Sequence, residues 1–116
     1  MLFPISAALL DAMVLSLVNR EETYGYKITQ DMQSAATVSE STLYPVLRRL
    51  QKNGALETFD RAYMGRNRRY YRITALGVAM LRQYRIDWEQ HKAQVDGILK
   101  EEQTPQTDGV LKEEQA

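Results

Sequence analysis

The chain has 116 residues, 44% of them hydrophobic, with no cysteine and with 15 basic side chains balanced by 15 acidic ones. That length allows one small domain and a tail, with a core so small that a second copy would help bury it. The missing cysteines exclude a disulfide framework, a thiolate metal site and a cysteine nucleophile, and they fit a reducing compartment such as the cytoplasm.

The apolar start MLFPISAALLDAMVLSLV superficially resembles a secretion signal. It lacks a basic lead, Pro4 breaks its beginning, and Asp11 interrupts the run of about 18 to 20 apolar residues that a membrane span needs. The pattern predicts a buried helix capped by Ser6 and running to about Asn19, with Leu9, Leu10, Met13, Val14, Leu17 and Val18 on more than one face. Thr23 is expected to cap a second helix carrying Tyr24, Ile28 and Met32 at four-residue steps. A third is predicted from Ser39 or Ser41 to about Asn53, with Leu43, Val46, Leu47 and Leu50 on one face and Val38 stapled to Leu43. Asn53-Gly54 should end it in the left-handed manner.

Two strands follow, LETFDRAY (56–63) and RRYYRI (68–73), joined by Met64-Gly65-Arg66-Asn67, where Gly and Asn tolerate positive φ. Tyr71 and Ile73 should point to one side of the second strand, Tyr70 and Arg72 to the other. Thr74 is the expected cap of a long last helix with a seam of Leu76, Met80, Tyr84, Trp88, His91, Val95 and Leu99. Such a helix is about twice the mean length of about 11–12 residues. It outruns the core of a small domain, so the seam calls for a second chain. GILKEEQ (97–103) recurs as GVLKEEQ (109–115), too short a period for a solenoid. It reads as a local duplication in a disordered, mildly acidic tail.

The neutral total hides an asymmetry. Residues 40–74 hold eight basic and three acidic side chains, a net +5, while the segments before and after carry −2 and −3. Four arginines, Arg66, Arg68, Arg69 and Arg72, fall within seven positions of the second strand and its approach. Like charges so crowded need an offsetting partner. The order helix, helix, helix, hairpin, helix supplies one, because a helix-turn-helix with its turn near 35–38 would present Ser39, Glu40, Ser41, Thr42, Tyr44 and Arg48 to base edges. The hairpin would then be a wing with its arginines, Arg66, Arg68 and Arg69 among them, against phosphates. The competing reading is a solvated edge strand kept charged against aggregation.

TYGYKI (23–28), STLYPVLRRLQKNGALE (41–57) and GRNRRYYRITALG (65–77), in that order, resemble the PadR family of bacterial winged-helix transcriptional regulators. The resemblance covers about residues 6 to 100; the last twenty match nothing in the family. It implies a homodimer formed through the C-terminal helix, a pseudo-palindromic operator in double-stranded DNA and, usually, repression. The single C-terminal helix resembles the smaller subfamily, which includes regulators of multidrug exporters and of phenolic-acid stress genes. Tyr44, Pro45, Arg48 and Arg49 match the recognition-helix motif, and Arg68, Arg69, Tyr70 and Tyr71 match the wing. Pro45 removes a helical hydrogen bond, at least cost within the first two turns. Trp88 stands fourteen residues after Thr74, a spacing like that of drug-responsive members whose tryptophans line a cavity at the dimer interface.

Trp88 therefore has two readings, packing at the dimer contact and stacking on a small hydrophobic or aromatic effector. His91 has no cysteine or second histidine to join it in a metal site. Asp11, alone among apolar neighbours, could attract a cationic ligand or find a hydrogen-bond donor. P-loop, GxGxxG, GxSxG and HExxH motifs are all missing, so neither enzyme chemistry nor a cofactor is expected. The sequence thus predicts a mainly α (α+β) protein: a winged helix-turn-helix with a two-stranded wing over 1–74, a C-terminal dimerisation helix over 75–102 and a tail over 103–116. The rival is a winged-helix interaction module whose basic face meets an acidic protein.

Overall fold

The computed structural model describes residues 3–35 and 38–100. In chain order they form α1 (Ala7–Arg20), α2 (Gly25–Met32), α3 (Glu40–Lys52), β1 (Leu56–Tyr63), β2 (Arg66–Ile73) and α4 (Ala75–Leu99). The packing divides the chain into two units after Arg85, within α4. The tail expected over 103–116 and the middle of the 35–38 turn lie outside the described residues.

Each helix begins where the sequence supplies a hydroxyl, with one exception. Ser6 Oγ accepts from the Leu9 amide at 3.1 Å and Ser39 Oγ accepts from the Thr42 amide at 3.3 Å, so Ser39 rather than Ser41 caps α3. Thr23 does not cap α2. Its amide and carbonyl both pair with Tyr71, at 3.3 and 2.7 Å, as an isolated antiparallel bridge on the free edge of β2. Two backbone bonds outcompete one side-chain cap. The N-cap position falls to Tyr24, which makes no side-chain cap bond.

The core of the first unit is built from Val14, Leu15, Ile28, Leu43, Leu47 and Leu50, all fully buried, with Val18, Met32, Val46 and Leu56 nearly so. The three-helix layer thus closes around the inner faces of α1 and α3. The end of α3 is a Schellman turn: the Ala55 amide reaches Leu50 O at 2.9 Å and the Gly54 amide reaches Gln51 O at 3.1 Å. Gly54 takes φ +88°, which glycine adopts without a Cβ penalty.

The hairpin pairs Leu56 with Ile73 at its base and Tyr63 with Arg66 at its tip. Its loop is therefore two residues, Met64 and Gly65, with φ of 52° and 80°. This differs from the expected four-residue connection. Arg66 and Asn67 belong to β2, because two consecutive residues of positive φ already match the right-handed twist of the strands. Methionine in that conformation costs about 1–2 kcal/mol. Tyr71 is buried and Ile73 packs against the core, whereas Arg72 is exposed, as the alternation predicts.

Thr74 fastens α4 to the end of α3. Its hydroxyl accepts from the Gly77 amide at 3.1 Å and donates to Gly54 O at 2.6 Å, and its amide donates to Ala55 O at 3.0 Å. A Cβ at Gly77 would lie 2.3 Å from Ala55 O and 2.6 Å from Ile73 Cγ1. Leu81 is buried, and Met80 and Tyr84 pack on the chain's own core, while Leu76 is half exposed. Four-residue steps advance about 40° around a 3.6-residue helix, so the line from Leu76 to Trp88 winds off any single face. Gly77→Ala is expected to lose about 1–3 kcal/mol in urea unfolding by overpacking against a backbone oxygen, and Thr74→Val about 1 kcal/mol by losing the cap.

Candidate nucleic-acid interface

The start of α3 presents a cluster of exposed hydroxyls. Ser39 Oγ lies 2.9 Å from Ser41 Oγ and 3.2 Å from Thr42 Oγ1. Tyr44, one turn on, donates to Glu40 at 3.4 Å, and its ring covers the start of α2, where a Cβ on Gly25 would come within 2.9 Å of it. Tyr44 therefore holds the two helices of the helix-turn-helix together as well as showing its edge. Burial and the neighbouring Glu40 push its phenol above the ordinary 10.0.

Arg48 and Arg49 part company, as residues 100° apart on a helix must. Arg48 is exposed and forms no ion pair with any described residue. Arg49 turns toward α1 and binds the Asp11 carboxylate, whose other oxygen lies 3.5 Å from the Tyr84 hydroxyl that donates to it. The cation that the buried Asp11 attracts is thus part of the same chain. One ion pair joins α1 to α3, and the tyrosine adds α4.

The wing's outer face carries Glu57, Phe59, Arg61 and Tyr63 opposite Arg72, Tyr70, Arg68 and Arg66. Arg72 pairs with Glu22 at 3.1 Å and Glu57 at 3.4 Å; Arg61 pairs with Glu22 at 3.0 Å. Guanidinium and ring alternate along this face. Arg72 lies 4.3 Å from the Phe59 centroid, Arg61 4.7 Å from Tyr70, and Arg68 lies 4.0 Å from Tyr24 and 3.8 Å from Tyr63. Tyr70 in turn meets Phe59 at 5.6 Å and Tyr24 edge-on at 5.4 Å. Much of the charge crowding that the sequence poses is therefore offset inside the chain, by two carboxylates and four rings. Sequence reading left out Glu22, Phe59 and Arg61; the signal was the arginine–aromatic alternation shared by both strands.

Arg66 and Arg69 are exposed and, like Arg48, form no ion pair with a described residue. Arg69 and Arg48 both act on the Tyr71 phenol: burial drives it above 10.0, and the two positive charges partly oppose that rise. α3 and the inner face of the wing thus bring to one buried tyrosine two cations that form no ion pair with a described residue. Farther along α4, Trp88 and His91 lie 6.2 Å apart at a 44° tilt, with Trp88 43% exposed and Val95 37%. Among the described residues no group of histidines or carboxylates could hold a metal, and no helix is long and apolar enough to cross a membrane.

A helix-turn-helix, a bridged wing and a long final helix in this order are shared with known proteins. The model of the transcriptional regulator PadR-like family matches residues 14–83. The chain belongs to that family. A relative, the transcriptional regulator Rv3488 of Mycobacterium tuberculosis, is 39% identical over 77 residues, 66% of this chain and 72% of that one. The crystal structure of smu.1704 from Streptococcus mutans superposes with a TM-score of 0.81 at 38% identity, covering 87% of this chain and 95% of that one. A PadR-like transcriptional regulator from Bacillus cereus gives 0.73 at 30% identity, covering 79% and 92%. The PadR-like chain is accordingly a transcriptional regulator with a winged-helix fold.

Two outcomes test this geometry. Asp11→Ala should cost about 1–2 kcal/mol in chemical unfolding, less than a fully buried pair because the Arg49 side chain is 46% exposed and can hydrate. The raised Tyr71 phenol favours the neutral form in the folded state, so its contribution is fully present below pH 10.0 and lost as pH rises through the higher folded value. Urea midpoints should fall above pH 10, and less steeply in Tyr71→Phe.

Proposed function

We infer that this PadR-like regulator is a cytoplasmic homodimer that binds a pseudo-palindromic operator as a repressor and is released by a small hydrophobic or aromatic effector. The observation that carries DNA binding is the set of three exposed guanidinium groups that form no ion pair with a described residue, Arg48 on α3 with its hydroxyls and Arg66 and Arg69 on the wing. A polyanion is the partner that such a set lacks. Ser41, Thr42 and Arg48 are assigned to base edges, with Ser39 and Tyr44 at the rim; Arg66 and Arg69 are assigned to phosphates. Arg68 and Tyr70 belong to the brace that holds the wing, and Arg49 to the brace that holds α3.

Dimerisation is supported by the exposed apolar residues of α4, where Ile86, Trp88, Val95, Ile98 and Leu99 are all more than a third exposed in the single chain. A helix with so many apolar residues in water needs a partner. Trp88 among them offers a flat apolar surface for a planar guest, and such a guest alters operator affinity only if it favours one spacing of the recognition helices.

Salt-dependent binding separates the roles. Arg66→Ala and Arg69→Ala should lower the log–log salt slope by about 1 unit per lost contact and protomer, whereas Arg72→Ala should leave the slope nearly unchanged. Arg48→Ala should weaken the operator more than random DNA, by about 1–3 kcal/mol if it reads a guanine. A shallow slope abolished by an acidic protein competitor would favour the interaction-module reading. Sedimentation should show a dimer at micromolar concentration. Planar aromatic compounds should quench Trp88, the only indole in the sequence, and lower operator affinity; Trp88→Ala should lose that response.

A further inference from the structure

A groove of about 380 Å³ runs between the end of α1 and one face of α2. That volume lies at the lower end of the range of about 300–1,000 Å³ usual for small-molecule sites. Arg20 and Glu21 line it from the end of α1, Lys27 and Asp31 from α2, and Thr23 from the link between the two helices. Lys27 and Asp31 share a face because four residues nearly complete a helical turn.

Thr23 is 3% exposed, yet its hydroxyl finds no hydrogen-bond partner among the described residues. Its amide and carbonyl are committed to the bridge with Tyr71, so the side chain alone is left over. A buried hydroxyl without a partner is destabilising, and folded proteins satisfy nearly all such groups. The charges around it are uneven in a similar way. Lys27 is held by Asp31 at 3.0 Å, whereas Arg20 and Glu21, consecutive and exposed, form no ion pair with a described residue. Asp31 raises the Lys27 pKa above its ordinary value, and Glu21 reaches far enough across to add to that rise.

The groove therefore places one cation and one carboxylate side by side next to a hydroxyl that lacks a partner. A water molecule would satisfy the hydroxyl but neither charge. A ligand of single charge would be attracted by one of the two and repelled by the other. A molecule that carries both signs a short distance apart suits both, and the end of α1 adds partial negative charge for its positive group. An α-amino acid has its two charged groups on one carbon, a spacing comparable with that of two consecutive residues.

We propose that this groove binds a free α-amino acid, with its carboxylate on Arg20 and the Thr23 hydroxyl and its ammonium on Glu21. The side chain then extends along α2 toward Gln30 and Ser34, which favours a short polar one. The site is separate from Trp88, and it does not rest on the DNA-binding reading.

The test titrates the full chain with the common free L-amino acids, followed by calorimetry and thermal melting. Saturable binding of one molecule per chain is expected for serine, threonine or asparagine. The N-acetyl form of the bound amino acid lacks the ammonium and its amide lacks the carboxylate; each should bind about tenfold more weakly. Thr23→Val keeps the side-chain shape and the backbone bridge, so it should melt no lower than the parent chain while binding about tenfold more weakly. Glu21→Gln, at an exposed position, should weaken binding similarly and decides the matter if Thr23→Val does not fold. Failure of every free amino acid to bind overturns the proposal. So does equal binding of the N-acetyl form, which makes the groove a simple carboxylate site. Undiminished binding in either folded variant overturns it too, by putting the amino acid elsewhere on the chain.

Discussion

The peptide group of Ala55 is the point on which α3, the wing and α4 are set together. Its amide ends α3 by bonding Leu50 O, and its carbonyl accepts from the Thr74 amide. Gly77 passes so near that carbonyl that a single methyl group would collide with it. Recognition helix, wing and final helix therefore share one fully buried residue as their common joint. Any change in the angle of α4 at this joint must be shared with α3 and β1. That is why the threonine and glycine at the start of α4 matter as much as the arginines they position.

Electrostatics in the wing follows a division of labour. Arg61 and Arg72 share Glu22, which lies in the loop before α2 and is adjacent to the residue bridged to Tyr71. The sheet is thereby tied to the helix-turn-helix by backbone bonds at its free edge and by charge and rings on its outer face. Arginine suits both tasks because its planar group stacks on a ring while its edge still donates hydrogen bonds. Arg66 and Arg69 of the wing and Arg48 of α3 are exposed and form no ion pair with a described residue. A neutral protein can in this way present a locally positive face.

Much of this was legible in the sequence. Hydrophobic spacing located all four helices, Asn53-Gly54 marked the end of α3, and the strand alternation assigned Tyr71 inward and Arg72 outward. What escaped was set by pairing between distant segments. Thr23 reads as a cap because no local signal announces the free edge of β2, forty-eight residues away in the sequence. The tip was read two residues too long because Met64 does not advertise a positive φ. Arg48 and Arg49 look alike as a dipeptide, and only the position of Asp11 distinguishes them. The tail and the middle of the turn before α3 lie outside the described residues.

The bond between Asp11 and Arg49 has a consequence for how such a sequence can drift. A neutral substitution at Arg49 strands the buried Asp11 carboxylate, and one at Asp11 leaves a guanidinium that can hydrate, whereas exchanging the two side chains together preserves the attraction while reversing its direction. Positions 11 and 49 therefore act on stability as one unit, although they are thirty-eight residues apart. The route from one tolerated pair to another passes through a weakened intermediate. Tyr84 narrows that route further, since its hydroxyl faces whatever replaces the carboxylate. The first helix, which need touch no DNA, is in this way kept in step with the helix that is assigned to read it.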